Sequence, residues 1–432
     1  MPKAMTMRST GIALGLAVLL CGAAVAGAPD PAAVKAVFAE ARQVSDSDGG
    51  KLWGVPLYGP MMFIDPDSKS IVANEADGEG TLTAGNGVYA GTLPPDLLPA
   101  NTAIEWHGKR WTMLEWPLWG DSLAHKKLLA HELFHRIQPG LHLQIPDSQN
   151  PQLDTLEGRL WLQLEWRALA TALESGGKAQ QQAIRDALAF RAYRHSLFAG
   201  SAESERVMEI NEGLAEYTGV RLSSPDEASA RWLAVRKLVA ADEKTWVRSF
   251  PYTSGPAYGL LLDVYAPGWR RKLNGGSDLA AMLEAAVPKG AASDAKVRAA
   301  LYGEAALRLS ESERAAENEA VKARYRAKLV DGPVLVLPNL GDKFRVSFDP
   351  RELVPLDEAG TVYPTMRVSD VWGALVAGEG VLMPVNYSRV TVAAPADAKG
   401  THLAGPGWTL DLAPGWHLVP ADKPGSFTVK KD

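Results

Sequence analysis

The run from Lys127 to Arg136 constrains this chain most. It carries His131-Glu132-Leu133-Phe134-His135 without an internal breaker. Asp121 stands where a helix cap is needed, and Pro139-Gly140 supplies a stop. These signals predict a helix near 121–138. On a helix, residues i and i+4 share a face, so both imidazoles reach one point. Glu132 lies one step round from His131, placed to hold a water beside a metal and take its proton. At this histidine and glutamate content the spacing arises by chance in roughly one such chain in a hundred. The competing reading is two histidines satisfied inside a packed helix, and the flanking signals favour the metal.

Composition narrows the donors. The 432 residues include 8 histidines and 1 cysteine, which excludes a disulfide framework and a cysteine-based zinc cluster. A metal site here is built from nitrogen and oxygen. The formal net charge is −5, from 45 basic and 50 acidic residues. Nucleic-acid binders carry clustered positive charge, so nucleic acid is not an expected partner.

Residues 1–26 read as a secretory signal. Lys3 and Arg8 begin it, an apolar run follows from Gly11 to Leu20, and Ala24-Val25-Ala26 makes a small-x-small cleavage site. Its removal takes away Cys21 and two basic residues, so the net charge moves from −5 to −7. The expectation is an exported periplasmic or secreted protein without a stable membrane anchor. Oligomeric state is not legible.

The expected fold class is α+β: a zincin-like catalytic domain followed by a small β domain. Residues 27–120 read as its β-rich first part. Ser70-Ile71-Val72 and Trp111-Thr112-Met113-Leu114 are strands, and Gly78 to Gly91 marks hairpin turns rather than a phosphate loop. Residues 121–330 read as the helical, zinc-binding part, with helices near 121–138, 156–175, 178–197, 202–220, 226–241, 256–265 and 295–328. Charged runs such as Ser310 to Arg314 are expected to be solvated faces. Residues 331–432 read as a β-sandwich-like domain.

Two imidazoles leave a metal site incomplete. His142 falls one residue late for the spacing that uses a third downstream histidine, so it is rejected. Asp154, Glu157 and Glu212 are the candidate carboxylates. Glu212 lies in Asn211-Glu212-Gly213-Leu214-Ala215-Glu216-Tyr217. The pair His-Glu-Leu-x-His and Asn-Glu-Gly-x-Ala-Glu-Tyr resembles the gluzincin metallopeptidases, especially the aminopeptidase-type branch. The resemblance implies Zn²⁺ held by His131, His135 and Glu212, with Glu132 as general base. Glu216 lies one turn after Glu212 on the same face, where it can accept the outer N–H of a ligating histidine. Pro251-Tyr252-Thr253-Ser254-Gly255 is similar to that branch's Pro-Tyr-x-x-Gly segment, which implies Tyr252 as donor to the oxyanion, with Tyr258 in reserve.

The resemblance covers about 121–265, and two departures mark it. The 76 residues between His135 and Glu212 exceed the gap in compact members of the family, and the insert leaves Asp154 and Glu157 as rival ligands. The Gly-x-Met-Glu-Asn segment that holds a substrate amine is missing, and Glu79 is a poor stand-in. An endopeptidase or a narrower specificity is therefore expected, acting on a peptide or protein substrate. The strand Trp111 to Leu114 is expected to pair with it. Two other readings are an exported non-catalytic zincin-fold binding protein and a cell-envelope glycan-binding protein. The second would use Tyr363, Trp372, Trp408 and Trp416, which read first as β core.

Overall fold

The computed structural model describes residues 28–432 apart from 95–96, 144–147, 241–243, 292 and 342. The signal segment 1–26 lies outside the described residues. The chain is mixed α and β, with a helical core and strand sheets in its last hundred residues. Among the described residues no helix is long and apolar enough to cross a membrane.

Helix α1 (Pro31–Asp48) starts where Asp30 accepts a hydrogen bond from the Ala33 N–H at 3.0 Å. It ends on Gly49, whose φ of 58° suits glycine. Six strands follow: β1 (Met61–Ile64), β2 (Ser70–Ala73), β3 (Thr83–Gly85), β4 (Val88–Thr92), β5 (Thr102–Trp106) and β6 (Lys109–Glu115). Their order in the sheet is β3-β4-β2-β1-β6-β5, with β1 and β6 parallel and the other pairs antiparallel. Asn86 and Gly87 turn the β3–β4 hairpin with φ of 53° and 72°.

This sheet corrects the strand expected to pair with substrate. Trp111 to Leu114 lies in β6, which is bonded to β1 on one side and β5 on the other. Its main-chain groups are used, and the free edge on this side of the sheet is β5.

The core helices are α2 (Ser122–Ile137), α3 (Leu156–Glu174), α4 (Gly177–Leu197), α5 (Ser201–Met208), α6 (Leu214–Ser223), α7 (Glu227–Val239) and α8 (Pro251–Tyr265). Then come α9 (Leu279–Ala286), α10 (Ala295–Ala299) and α11 (Glu304–Arg326). A π-helical turn, Glu209–Gly213, joins α5 to α6. Apolar side chains of α2, α3, α6 and α8 share one large core with α1 and the sheet. Trp161, Leu162, Leu164 and Leu169 of the insert are buried in it. The expected solvated face at 310–314 is partly wrong. Glu311 is buried and pairs with Arg159 at 2.9 Å, and Arg314 reaches Asp154 at 3.1 Å, so this part of α11 is pinned to the start of α3.

The last helical turn ends at Asp331, and strands take over at Val334. They are β7 (Val334–Pro338), β8 (Arg345–Phe348), β9 (Val354–Pro355), β10 (Thr361–Tyr363), β11 (Met366–Asp370) and β12 (Gly373–Ala377). The rest are β13 (Val381–Met383), β14 (Arg389–Ala393), β15 (His402–Gly405), β16 (Trp408–Leu412), β17 (Trp416–Pro420) and β18 (Phe427–Lys431). They form a seven-stranded sheet, β17-β18-β7-β14-β13-β10-β9, and a five-stranded one, β15-β16-β12-β11-β8. Tyr363, Trp372 and Trp408 are buried between them, which leaves these aromatics no exposed ring face for a glycan. Gln149 fastens the helical part to these strands, donating to the Tyr363 hydroxyl at 2.7 Å and accepting from Thr361 at 2.6 Å.

Candidate metal centre

Helix α2 begins as the sequence indicates. The Asp121 carboxylate accepts from the Ala124 N–H at 2.9 Å. Its inner face presents His131 and His135, whose Nε2 atoms lie 3.1 Å apart. Glu212 comes from the π turn beside α6. Its Oε2 lies 3.4 Å from the Nε2 of each histidine. Three donor atoms therefore converge on one point, and these three residues are the group among the described residues able to hold a metal ion.

The rival carboxylates are elsewhere. Asp154 pairs with Arg314, and Glu157 pairs with Arg308 at 2.5 Å and accepts from the Trp161 indole at 3.0 Å. His142 is exposed in a turn. Glu79 sits in a loop 3.5 Å from His107.

Glycines explain why α2, α6 and α8 approach so closely. A Cβ on Gly219 of α6 would lie 2.7 Å from the Lys127 carbonyl oxygen of α2. With no side chain there, α6 lies against α2 and brings Glu216 to the His131 Nδ1 at 3.0 Å. Gly213 and Gly255 meet backbone to backbone, and a Cβ on Gly255 would fall 2.4 Å from the Gly213 Cα. That contact sets Tyr252 of α8 beside Glu212, and its hydroxyl donates to the Glu212 Oε2 at 2.8 Å. Helix α8 starts at Pro251, earlier than expected, so Tyr252 lies in its first turn. The ring of Tyr252 lies parallel to that of His131, with centroids 5.5 Å apart. Tyr258 instead donates to Glu165 at 2.7 Å inside the core, which removes the reserve candidate.

Each histidine has a partner on its outer nitrogen, as metal-ligating histidines do. For His131 it is Glu216, itself bonded to Lys127 at 2.5 Å. For His135 it is the Gln138 Oε1 at 2.9 Å from Nδ1. Gln138 was not foreseen as part of the site. Its amide donates to the carbonyls of Ile210 and Asn211, so one side chain ties His135 to the strand of chain that carries Glu212. Its position three residues after His135 was the available signal.

The electrostatics fit a cation. Burial works against charge on His131, but hydrogen bonds to Glu212 and Glu216 outweigh it and raise the ring to about 10. Burial likewise opposes charge on His135, and the nearby Glu212 carboxylate raises it. Burial alone would raise Glu212, yet the two histidines hold it well below the usual carboxylate range. The carboxylates thus draw positive charge to this point, as protons or as a metal that displaces them. Glu132 is buried, and burial pushes its carboxyl up. Its Oε2 has no hydrogen-bond partner among the described residues. Burial and the Glu212 charge hold Tyr252 well above its ordinary value, so it stays a neutral donor.

The site opens into a cleft of about 910 Å³. One side is lined by Ala100, Asn101 and Thr102 at the β5 edge, and the floor by His131, Glu132, Glu212 and Tyr252. Scans of this chain against protein-family models, curated proteins and solved structures found no match.

Proposed function

We propose that this protein is a zinc-dependent peptidase of gluzincin type. The reading rests on one observation above all: His131, His135 and Glu212 converge while the adjacent Glu132 keeps a buried carboxylate oxygen unpartnered. Three protein donors leave a position open, which suits catalysis rather than a closed structural site. Two imidazoles and one carboxylate are a donor set that zinc accepts. Zinc held there supplies a Lewis acid that polarises a carbonyl and acidifies water.

The chain's own residues divide the remaining work. Glu132 takes a proton from the attacking water at its free Oε2 and passes it to the leaving amine. Tyr252 turns its hydroxyl from Glu212 to the carbonyl oxygen as negative charge grows there. Glu216 and Gln138 hold the two imidazoles in the tautomer that leaves Nε2 a lone pair. The β5 edge offers unpaired main-chain groups to an extended peptide.

The test is zinc stoichiometry together with hydrolysis of a denatured-protein substrate, for wild type and Glu132→Gln. The expected result is one zinc per chain in both proteins and turnover in the wild type alone. Zinc-replete wild type without Glu132-dependent turnover refutes the catalytic role. Favouring a non-catalytic binding protein would take a fourth protein ligand, and among the described residues the group holds three.

A further inference from the structure

Eleven of the 26 residues lining the cleft come from the C-terminal β region, among them Ser347, Phe348, Met366, Arg367 and Val376 on its strands. Strand register explains which of them face it. Arg367 of β11 lies opposite Ser347 of β8 and Val376 of β12, so these three form a cross-strand row. Along β11, Met366 and Val368 point into the core and Arg367 points out. Along β12, Val376 is 51% exposed between buried Leu375 and Ala377. The outer face of the five-stranded sheet is therefore a wall of the same cleft that holds the metal group.

Outside the metal group the lining of this cleft is cationic, in a chain with an excess of acid. Away from the metal group and its Lys127–Glu216 pair, the lining cations are Lys237, Arg248, Arg351 and Arg367, against Glu115 and Asp349. Arg351 and Asp349 satisfy each other at 2.9 and 2.8 Å. Arg367 differs. Among the described residues its one bond runs from Nη1 to the Glu115 Oε1, at a long 3.4 Å. A guanidinium has five N–H donors. Glu115 thus steadies Arg367 across the cleft while most of its donors remain available.

We propose that Arg367 binds a carboxylate of the substrate, carried either by an acidic side chain or by the C-terminus of the peptide. A planar guanidinium with spare donors matches a carboxylate in two parallel bonds and matches the isosteric amide poorly. The class of substrate follows: an extended peptide that places its negative group against β11 while its main chain lies along the metal group. The reaction at that group rests on the peptidase reading, but the binding does not.

The experiment uses the full chain in the Glu132→Gln background and reads binding by fluorescence anisotropy. Two peptide pairs are compared, internal Glu against internal Gln, and free against amidated C-terminus. The expected result is tighter binding, by about tenfold or more, of the carboxylate member of one pair. The pair that responds identifies the source. Arg367→Gln erases the preference, and Arg367→Lys keeps part of it. In the active enzyme Arg367→Gln raises KM for the acidic substrate and leaves kcat unchanged. Equal binding within both pairs, or a preference that survives Arg367→Gln, overturns the proposal. A preference that depends on Arg367, without turnover in the active protein, upholds it and removes the peptidase reading.

Discussion

Replacing Gly255 by alanine puts a methyl group 2.4 Å from the Gly213 Cα, where ordinary contact begins near 3.4 Å. The neighbour is backbone, so it has no rotamer to yield, and α8 must withdraw from the π turn by about 1 Å. Overpacking of this kind costs about 1–3 kcal/mol, and the better helix propensity of alanine returns up to about 1 kcal/mol. The same withdrawal stretches the Tyr252–Glu212 contact from 2.8 Å to about 3.8 Å, outside hydrogen-bond range. A misplacement of this size at a reacting centre reduces turnover by about a hundredfold. The assays are urea unfolding and kcat on a peptide substrate. Gly213→Ala is expected to do less, because its Cβ would meet the Gly255 Cα at 3.3 Å. Gly85→Ala, with open space around it, serves as the control and stays within about 0.5 kcal/mol of wild type. Wild-type stability and turnover in Gly255→Ala, or equal losses in the control, would refute the claim that this contact sets the site.

Gln138→Ala and Glu216→Ala are each expected to weaken zinc binding by about 10- to 100-fold, read by competition with a chromophoric chelator; an unchanged affinity in both would deny them a role behind the histidines. A second expectation concerns acid. Burial would raise Glu205, but Arg194 and His195 outweigh it and hold the carboxyl far below its ordinary 4.5. Its contribution to stability is then complete above about pH 4.5 and is lost as pH falls below that value toward the depressed one. Unfolding free energies from urea titrations between pH 6 and pH 3 should fall less steeply in Glu205→Gln, by up to about 1.4 kcal/mol per pH unit; parallel slopes would contradict the ion pair.

What the sequence disclosed and what it hid divide along physical lines. The α2 helix, its Asp121 cap and the His131–His135 face were legible because cap, period and breaker all act within a few residues. Glu212 was legible only through the resemblance of Asn211 to Tyr217 to the second gluzincin motif, since two glutamates one turn apart by themselves read as a solvated face. Gln138 was not, since its amide works on carbonyls 72 and 73 residues away. The meeting of Gly213 with Gly255 was hidden for the same reason: a glycine announces freedom but not the partner that needs the space. Glu311 looked solvated because its neighbours are charged, and only the return of α11 onto α3 buries it. The β-rich C-terminal region was foreseen as strands, but its place beside the metal cleft depends on contacts such as Gln149 with Tyr363.

The wide turn at Glu209–Gly213 has a further consequence. In an uninterrupted α-helix, Glu205, Glu209, Glu212 and Glu216 would fall on one stripe and crowd four carboxylates together. The extra residue in the turn shifts the helical phase by on the order of a quarter turn. Glu205 and Glu209 then face Arg194 and Arg191 of α4, while Glu212 and Glu216 face the histidines of α2. One helix thereby serves two masters, anchoring the scaffold with its first half and presenting chemistry with its second. Deleting a single residue there would leave the composition almost intact and set both halves competing for the same direction.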